Sequence, residues 1–355
     1  MGKILLIATT NLTTDGLTRI LIRIAEEAAS MAQIGIALSE GCDKSVAEEL
    51  RKHGQLYYLP SRKKMLPLYL LSLRKLVAKE KYKAVHIHGN SATMAFDLMA
   101  AWLGGAEIRI THTHNCAPQS PLKQHTLGRI LNGLVTCPVA CSEAAGKMLY
   151  TKPYLVLTNG VDCECFRFSP EKRSSIRERL NIGDAFVVGH IGRFSQQKNH
   201  QRLLHIFAAL LQIRPNSILL LCGEGELMEQ CKQEALELNI AGKVIFAGNV
   251  ERPQDYYQAM DVLVLPSLFE GLPLVGVEAQ ASGLPCVFSD AITKEAGILP
   301  ECVFLPLEAP DDSWADAIVN SKVPDRASAA ELVAKAGYTE QALQGQIREL
   351  YSRAK

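Results

Sequence analysis

The chain is 355 residues long, 48% hydrophobic and 21% charged, a normal globular composition too long for one ordinary core and so predicting two domains. No run of eighteen apolar residues occurs, which argues against a membrane-spanning helix. The net charge of +1 hides an asymmetry: residues 1–160 carry 19 Lys+Arg against 11 Asp+Glu, a net +8, and the remainder 19 against 26, a net −7.

The N-terminal apolar run stops at Thr9 after one charge and reads as a first buried strand, not as a signal peptide. Further strands are predicted near Ile34–Leu38, Leu56–Leu59, Ala84–His88, Ile108–Thr111, Pro138–Ala140 and Leu155–Leu157. Helical periods fall between them, near 17–31, 44–53, 68–79, 92–103, 123–134 and 143–149. Then Thr158–Pro170 breaks the rhythm, with the turn signal Asn159-Gly160 and no regular period before a helix near Lys172. The interdomain linker is placed there. Strands resume near Phe186–Ile191, Ile218–Leu221, Val244–Phe246, Val262–Leu265, Cys286–Phe288 and Val303–Leu305. Alternation of this kind predicts two α/β domains with parallel sheets, 1–160 and 161–337, facing each other across a cleft with ligands at the strand ends. A last helix, about 338–355, is expected to cross back onto the first domain. Ten cysteines lack paired metal-ligand spacing and read as reduced thiols in a cytoplasmic protein.

The densest signal is Leu265–Glu278, LPSLFEGLPLVGVE. Gly271 permits a tight turn, and Pro273 suits the first position of a helix. The free N–H groups of Leu274 and Val275 would then form an anion site. Glu270 would sit at its mouth and Glu278 inside the helix, an arrangement suited to a phosphate-bearing ligand with hydroxyls. After the first strand of the second half comes Gly192-Arg193, with Lys198 five residues on. Guanidinium and ammonium there can clamp two phosphates, or form only a solvated basic loop. Gly223 and Asn249-Val250 follow the next two strands, where Gly223 permits close backbone approach and the Val250 segment can line a base pocket.

In the first half, Gly16 opens a helix after the first strand, and Asp15 and Thr18 are alternative helix caps. Alternation puts His112 and His114 on one side of their strand, with His86 and His88 recurring in the same way. The Ser61–Lys81 segment is basic and apolar. It reads either as a cationic amphipathic helix at a membrane, helped by Lys123, His125 and Arg129, or as a packed helix with solvated lysines. The basic half could equally meet a phosphorylated acceptor or the acidic second domain.

The residues from about 187 to 296 resemble the donor half of a retaining GT-B glycosyltransferase of family 4. The likeness rests on Glu270 and Glu278 with seven residues between them, on Gly192-Arg193 with Lys198, on Asn159-Gly-Val-Asp162, and on the runs Ala259–Ser267 and Glu278–Pro285. The resemblance implies Arg193 and Lys198 on the donor diphosphate, Glu278 on the ribose and Glu270 on the transferred sugar. Gly271, Leu272, Pro273, Leu274 and Val275 would position sugar and phosphate, Gly16 would approach the phosphate, and His114, with His112 in reserve, would lie near the reacting sugar. This chain has Asp15-Gly16 where the family usually has two glycines.

No Asp-x-Asp triplet occurs, which fits a metal-independent reaction with no cofactor beyond the nucleotide-sugar donor. The resemblance implies transfer of a hexose or N-acetylhexosamine from a UDP-sugar to a growing or polyprenyl-diphosphate-linked glycan. Bacterial capsule, exopolysaccharide or O-antigen synthesis is the setting it suggests, at the cytoplasmic face of the membrane and with peripheral contact to anionic lipid. No nucleic-acid partner is expected, and nothing in the sequence fixes the oligomeric state. The alternatives are a GT-B epimerase of the UDP-N-acetylglucosamine type and a non-catalytic nucleotide-sugar-binding subunit.

Overall fold

The computed structural model describes residues 2–13, 16–116 and 121–353. The chain divides into two compact units, Met1–Asn159 with Gln341–Lys355, and Gly160–Glu340.

In the first unit the strands are β1 (Ile4–Ala8), β2 (Ile34–Leu38), β3 (Gln55–Tyr58), β4 (Ala84–Gly89), β5 (Ile108–Thr113), β6 (Cys137–Ala140) and β7 (Leu155–Val156). They pair in parallel in the order β3-β2-β1-β4-β5-β6-β7. Every residue of β1 and β2 is buried, which is why these strands read as unbroken apolar runs instead of alternating ones. The helices Leu66–Glu80 and Met94–Leu103 lie side by side over this sheet. Asp97, fully buried, locks them: it accepts from Arg62 Nη2 at 2.8 Å and from the Tyr69 hydroxyl at 2.5 Å. The first of these helices starts two residues earlier than the period suggests, because Pro67 needs no partner for a missing N–H in the first turn. The terminal helix Glu340–Arg353 contributes Gln346, whose Oε1 accepts from Thr158 N–H at 3.1 Å, and Tyr351, whose hydroxyl lies 2.8 Å from His86 Nδ1.

The second unit holds β8 (Phe186–Ile191), β9 (Ser217–Cys222), β10 (Val244–Gly248), β11 (Val262–Leu265), β12 (Cys286–Ser289) and β13 (Val303–Leu305). These too are parallel, in the order β10-β9-β8-β11-β12-β13. Phe194, Leu203, Phe207, Leu221, Val264 and Trp314 belong to its core. The segment read as irregular after Asn159 contains a short helix, Cys163–Phe166, which the Asp162 carboxylate caps by accepting from Cys165 N–H at 3.1 Å.

Both sheets reverse their strand order once, between β1 and β4 in the first and between β8 and β11 in the second. Open parallel sheets bind ligands at the carboxyl ends of the strands flanking such a reversal. The topology therefore selects the loops after β8 and β11 before any side chain is considered.

Because Asp97 is the carboxylate that Arg62 and Tyr69 share in the interior, Asp97→Ala leaves a half-buried guanidinium unpaired. Chemical denaturation should show a loss of about 3–5 kcal/mol. A loss below about 1 kcal/mol would mean that water replaces the carboxylate at no cost.

Candidate active site

β8 and β11 are hydrogen-bonded neighbours, so the loops that follow them run together. They are stitched by backbone and side chain alike: Leu268 N–H donates to the Gln197 carbonyl at 2.8 Å, and Asn199 Nδ2 donates to the Pro266 carbonyl at 3.1 Å. At the centre Lys198 Nζ lies 2.7 Å from Glu270 Oε1, while Gln197 Nε2 donates to Glu270 Oε2 at 3.1 Å. Both members of the ion pair are largely enclosed, with side chains 16% and 9% exposed. Glu270, four residues before the next helix, is thus held at both oxygens.

That helix is Leu274–Ala281, and Pro273 is its N-cap, one position before the first-turn place expected from the sequence. The Pro273 carbonyl accepts from Gly276 N–H at 2.9 Å. The N–H groups of Gly271, Leu274 and Val275 have no hydrogen-bond partner among the described residues. Unpaired donors at a helix start favour an anion. Glu278 is buried one turn further in, and its Oε2 accepts from the Tyr257 hydroxyl at 2.7 Å.

The ends of β9 and β10 close the same edge. Gly192 N–H donates to the Cys222 carbonyl at 2.9 Å, Phe194 N–H to the Glu224 carbonyl at 3.0 Å, and Gly223 N–H to the Gly248 carbonyl at 2.7 Å. Gly223 has φ +134°, and a Cβ there would overlap the Gly192 carbonyl. The glycine serves this backbone crossing first. The stem of Lys198 passes over Gly192, and Val250 follows β10 at the half-buried rim. The guanidinium of Arg193 is exposed and lies 3.3 Å from Glu226, while Lys198 is engaged by Glu270, so the two cations of the expected clamp each face a carboxylate.

In the first unit the C-terminal ends of β4 and β5 carry four histidines whose rings touch. His112 and His114 have ring centroids 4.0 Å apart, His86 and His88 4.2 Å, and His88 Nδ1 lies 3.0 Å from His114 Nε2. His114 is half-buried, and its backbone N–H donates to Asn90 Oδ1 at 3.0 Å; the other three are fully buried. Solvent exclusion pushes His86 and His114 down to about 3, and His88 and His112 well below the ordinary histidine value. Ring nitrogens of His86, His88 and His112 lie within 4.8 Å of one another. No carboxylate or thiolate of the described residues joins them, so a dication there would keep its full charge in a dry core. Gly16 is the first residue of the helix Gly16–Ala29, Thr18 is buried within it, and Asp15 lies outside the described residues. The side chain of Lys123 also lies outside them, and His125 and Arg129 are exposed on the helix Pro121–Leu134.

Gln197, Tyr257, Glu226 and Asn90 were not marked by any sequence motif. Gln197 adjoins Lys198 and was within reach of the loop argument; Tyr257 meets Glu278 only because the helix Pro253–Ala259 packs beneath it.

Two parallel sheets in these strand orders, with ligand loops at the switch point of the second, define a GT-B fold of two Rossmann-like domains. HepE of Anabaena in complex with UDP-glucose has the same fold, with TM-score 0.81, 21% identity and 99% of each chain covered. So does WaaG, a glycosyltransferase involved in lipopolysaccharide biosynthesis, with TM-score 0.74, 15% identity and 99% of each chain covered. Residues 172–300 match the model of the glycosyl transferases group 1 family. The putative glycosyltransferase EpsF of Bacillus subtilis (strain 168) is 34% identical over 327 residues, covering 86% of this chain and 84% of that one. The Escherichia coli UDP-Gal:alpha-D-GlcNAc-diphosphoundecaprenol alpha-1,3-galactosyltransferase is 31% identical over 271 residues, covering 70% and 69%. The chain belongs to the glycosyl transferases group 1 family and is a glycosyltransferase.

The histidine stack has a consequence for pH. Its folded-state values lie below those of the unfolded chain, so on acidification the unfolded chain takes up protons first and stability falls. Unfolding free energy should drop between pH 6.5 and 5.5 by about 1 kcal/mol for each of the four rings, as read by urea titrations at several pH values. A profile flat across that window would contradict neutral, desolvated rings.

Proposed function

We propose that the chain transfers a hexose or N-acetylhexosamine from a UDP-sugar to a lipid-linked or growing glycan, retaining the anomeric configuration as family 4 enzymes do. The observation that carries this reading is the Lys198–Glu270 pair next in sequence to Gly271, Leu274 and Val275, whose N–H groups have no partner among the described residues. A diphosphate entering there meets an ammonium and a helix start, and it displaces the Glu270 carboxylate from Lys198. Glu270 then turns to sugar hydroxyls and Glu278 to the ribose. Arg193, exposed on its loop, exchanges Glu226 for the outer phosphate.

Cation and helix start together offset the charge of the departing nucleoside diphosphate, which lets the reaction run without a metal ion or cofactor. The acceptor hydroxyl attacks from the face the phosphate leaves, and positioning by the loops supplies much of the acceleration. Gly192, Gly223 and Val250 line the nucleotide side. His114 and Gly16 both lie in the first unit, and we assign His114 to the reacting sugar and Gly16 to the donor phosphate. The UDP complexes of HepE and the UDP-Gal donor named for the Escherichia coli relative support a UDP-sugar here, and the diphosphoundecaprenol acceptor of that relative supports a lipid-diphosphate. We place the reaction in bacterial surface polysaccharide assembly at the cytoplasmic face of the membrane.

The test is a panel of UDP-glucose, UDP-galactose, their N-acetyl forms and GDP-mannose, scored by nucleoside diphosphate release. One UDP-sugar should stand out, and Lys198→Ala should lower its turnover by roughly 10²-fold or more. Turnover unchanged in Lys198→Ala would sink the mechanism.

A further inference from the structure

Every residue of the helix Leu274–Ala281 except Val275 is buried, so this helix has no solvated face on which to carry a charge. It carries one nonetheless, since Glu278 is 3% exposed. A carboxylate so enclosed is costly unless donors satisfy it, and donors that satisfy it also fix where it points. One such donor is Tyr257, itself fully buried, on the helix Pro253–Ala259. Its hydroxyl lies 2.7 Å from Glu278 Oε2 and 3.3 Å from the Val275 carbonyl. Positions three apart lie on one helix face, so a single hydroxyl bridges the carboxylate and the first turn. The shorter contact, to a charged acceptor, takes the proton, and the carbonyl shares it at longer range.

The tyrosine has little room to yield. Its ring meets Phe166 edge-on, with centroids 5.7 Å apart. The next residue, Gln258, ties the same helix to the segment that follows the linker. Its Oε1 accepts from Ser169 N–H at 3.0 Å, and its Nε2 donates to the Phe166 carbonyl at 3.4 Å. Hydroxyl, ring and helix are all held, and the position of the carboxylate follows from them.

We infer that Tyr257 is a positioning residue for the nucleotide: it holds Glu278 Oε2 so that the carboxylate meets the ribose hydroxyls in one fixed orientation, and thereby sets the preference for a ribonucleotide over a deoxynucleotide. The inference rests on the assignment of Glu278 to the ribose and adds the group that gives this contact its selectivity. A carboxylate has about four lone-pair positions, so one tyrosine hydroxyl leaves capacity for both hydroxyls of a ribose. A site built to bind a hydroxyl rejects a ligand that lacks it, because its own polar atoms are then left unpaired. That rejection is strong only while those atoms cannot turn to other partners, which is what the Tyr257 hydroxyl prevents. Phosphate recognition belongs to Lys198 and the helix start, and it does not pass through Tyr257.

The test is calorimetric binding of UDP and of its analogue lacking both ribose hydroxyls, dideoxy-UDP, to the intact protein, to Tyr257→Phe and to Glu278→Gln. The unaltered protein should prefer UDP by about tenfold or more. Tyr257→Phe should lose most of that preference by weakening UDP alone, with dideoxy-UDP bound as before, which a merely loosened fold would not do. The double variant should behave like Glu278→Gln, because Tyr257 acts through that carboxylate. Fluorotyrosine placed at Tyr257 keeps the hydroxyl and decides the matter even where Tyr257→Phe does not fold. Its fluorine resonance should move on adding UDP and hold still on adding dideoxy-UDP. A preference for UDP that survives Tyr257→Phe but not Glu278→Gln would overturn the inference and leave the ribose assignment standing. A fluorine resonance that responds alike to both nucleotides would overturn it too. No preference in the unaltered protein, with UDP still bound, would remove the ribose assignment and the inference with it.

Discussion

Lys198 and Glu270 come from loops 72 residues apart in the chain, and they meet at 2.7 Å because β8 and β11 are neighbours at the point where the sheet reverses its order. An ion pair this enclosed gains from a low dielectric but also carries the cost of removing two charges from water, so it adds little to stability by itself. Its value lies in what it keeps ready. Lys198 holds one oxygen of a carboxylate that lies four residues before a helix start, and Gln197 fixes the second carboxylate oxygen. In the proposed reaction a diphosphate would replace one anion with another, so the site would load without leaving Lys198 uncompensated.

The backbone around the pair is closely packed. Gly192 and Gly223 pass so closely that neither strand end can shift without the other, and a Cβ at Gly225 would overlap the Phe194 backbone. Phe194 is buried and stacks on His200 with ring centroids 3.9 Å apart. The loop that bears Arg193 and Lys198 is therefore anchored on both sides of its cations. Preorganised donors of this sort contribute to rate because they need no reorganisation when charge develops. The pairing of Arg193 with Glu226 is exposed and contributes little.

Much of this was legible in the chain. Apolar runs spaced by helical periods gave the parallel strands, and four strand-end motifs in order pointed to one edge of the second sheet. Gly271 and Pro273 announced a turn and a helix start to within one residue. Other features were hidden because they depend on contacts between distant helices. Nothing near Tyr257 signals that its hydroxyl will meet Glu278, and the competition of Glu226 for Arg193 appears only when β9 lies beside β8. Alternation placed His112 with His114, yet the stack with His86 and His88 needed the β4–β5 register, in which His88 faces His112. The Ser61–Lys81 segment was ambiguous for a physical reason: its buried and exposed apolar residues belong to opposite faces.

The measurement that bears most directly on the account compares calorimetric binding of UDP and uridine to the intact protein and to Lys198→Met. If the strand-end loops of β8 and β11 form a diphosphate site, UDP should bind at least tenfold more tightly than uridine, and most of that preference should vanish in the variant. Equal affinities for the two ligands, or a preference untouched by Lys198→Met, would contradict the assignment of this edge to the donor diphosphate.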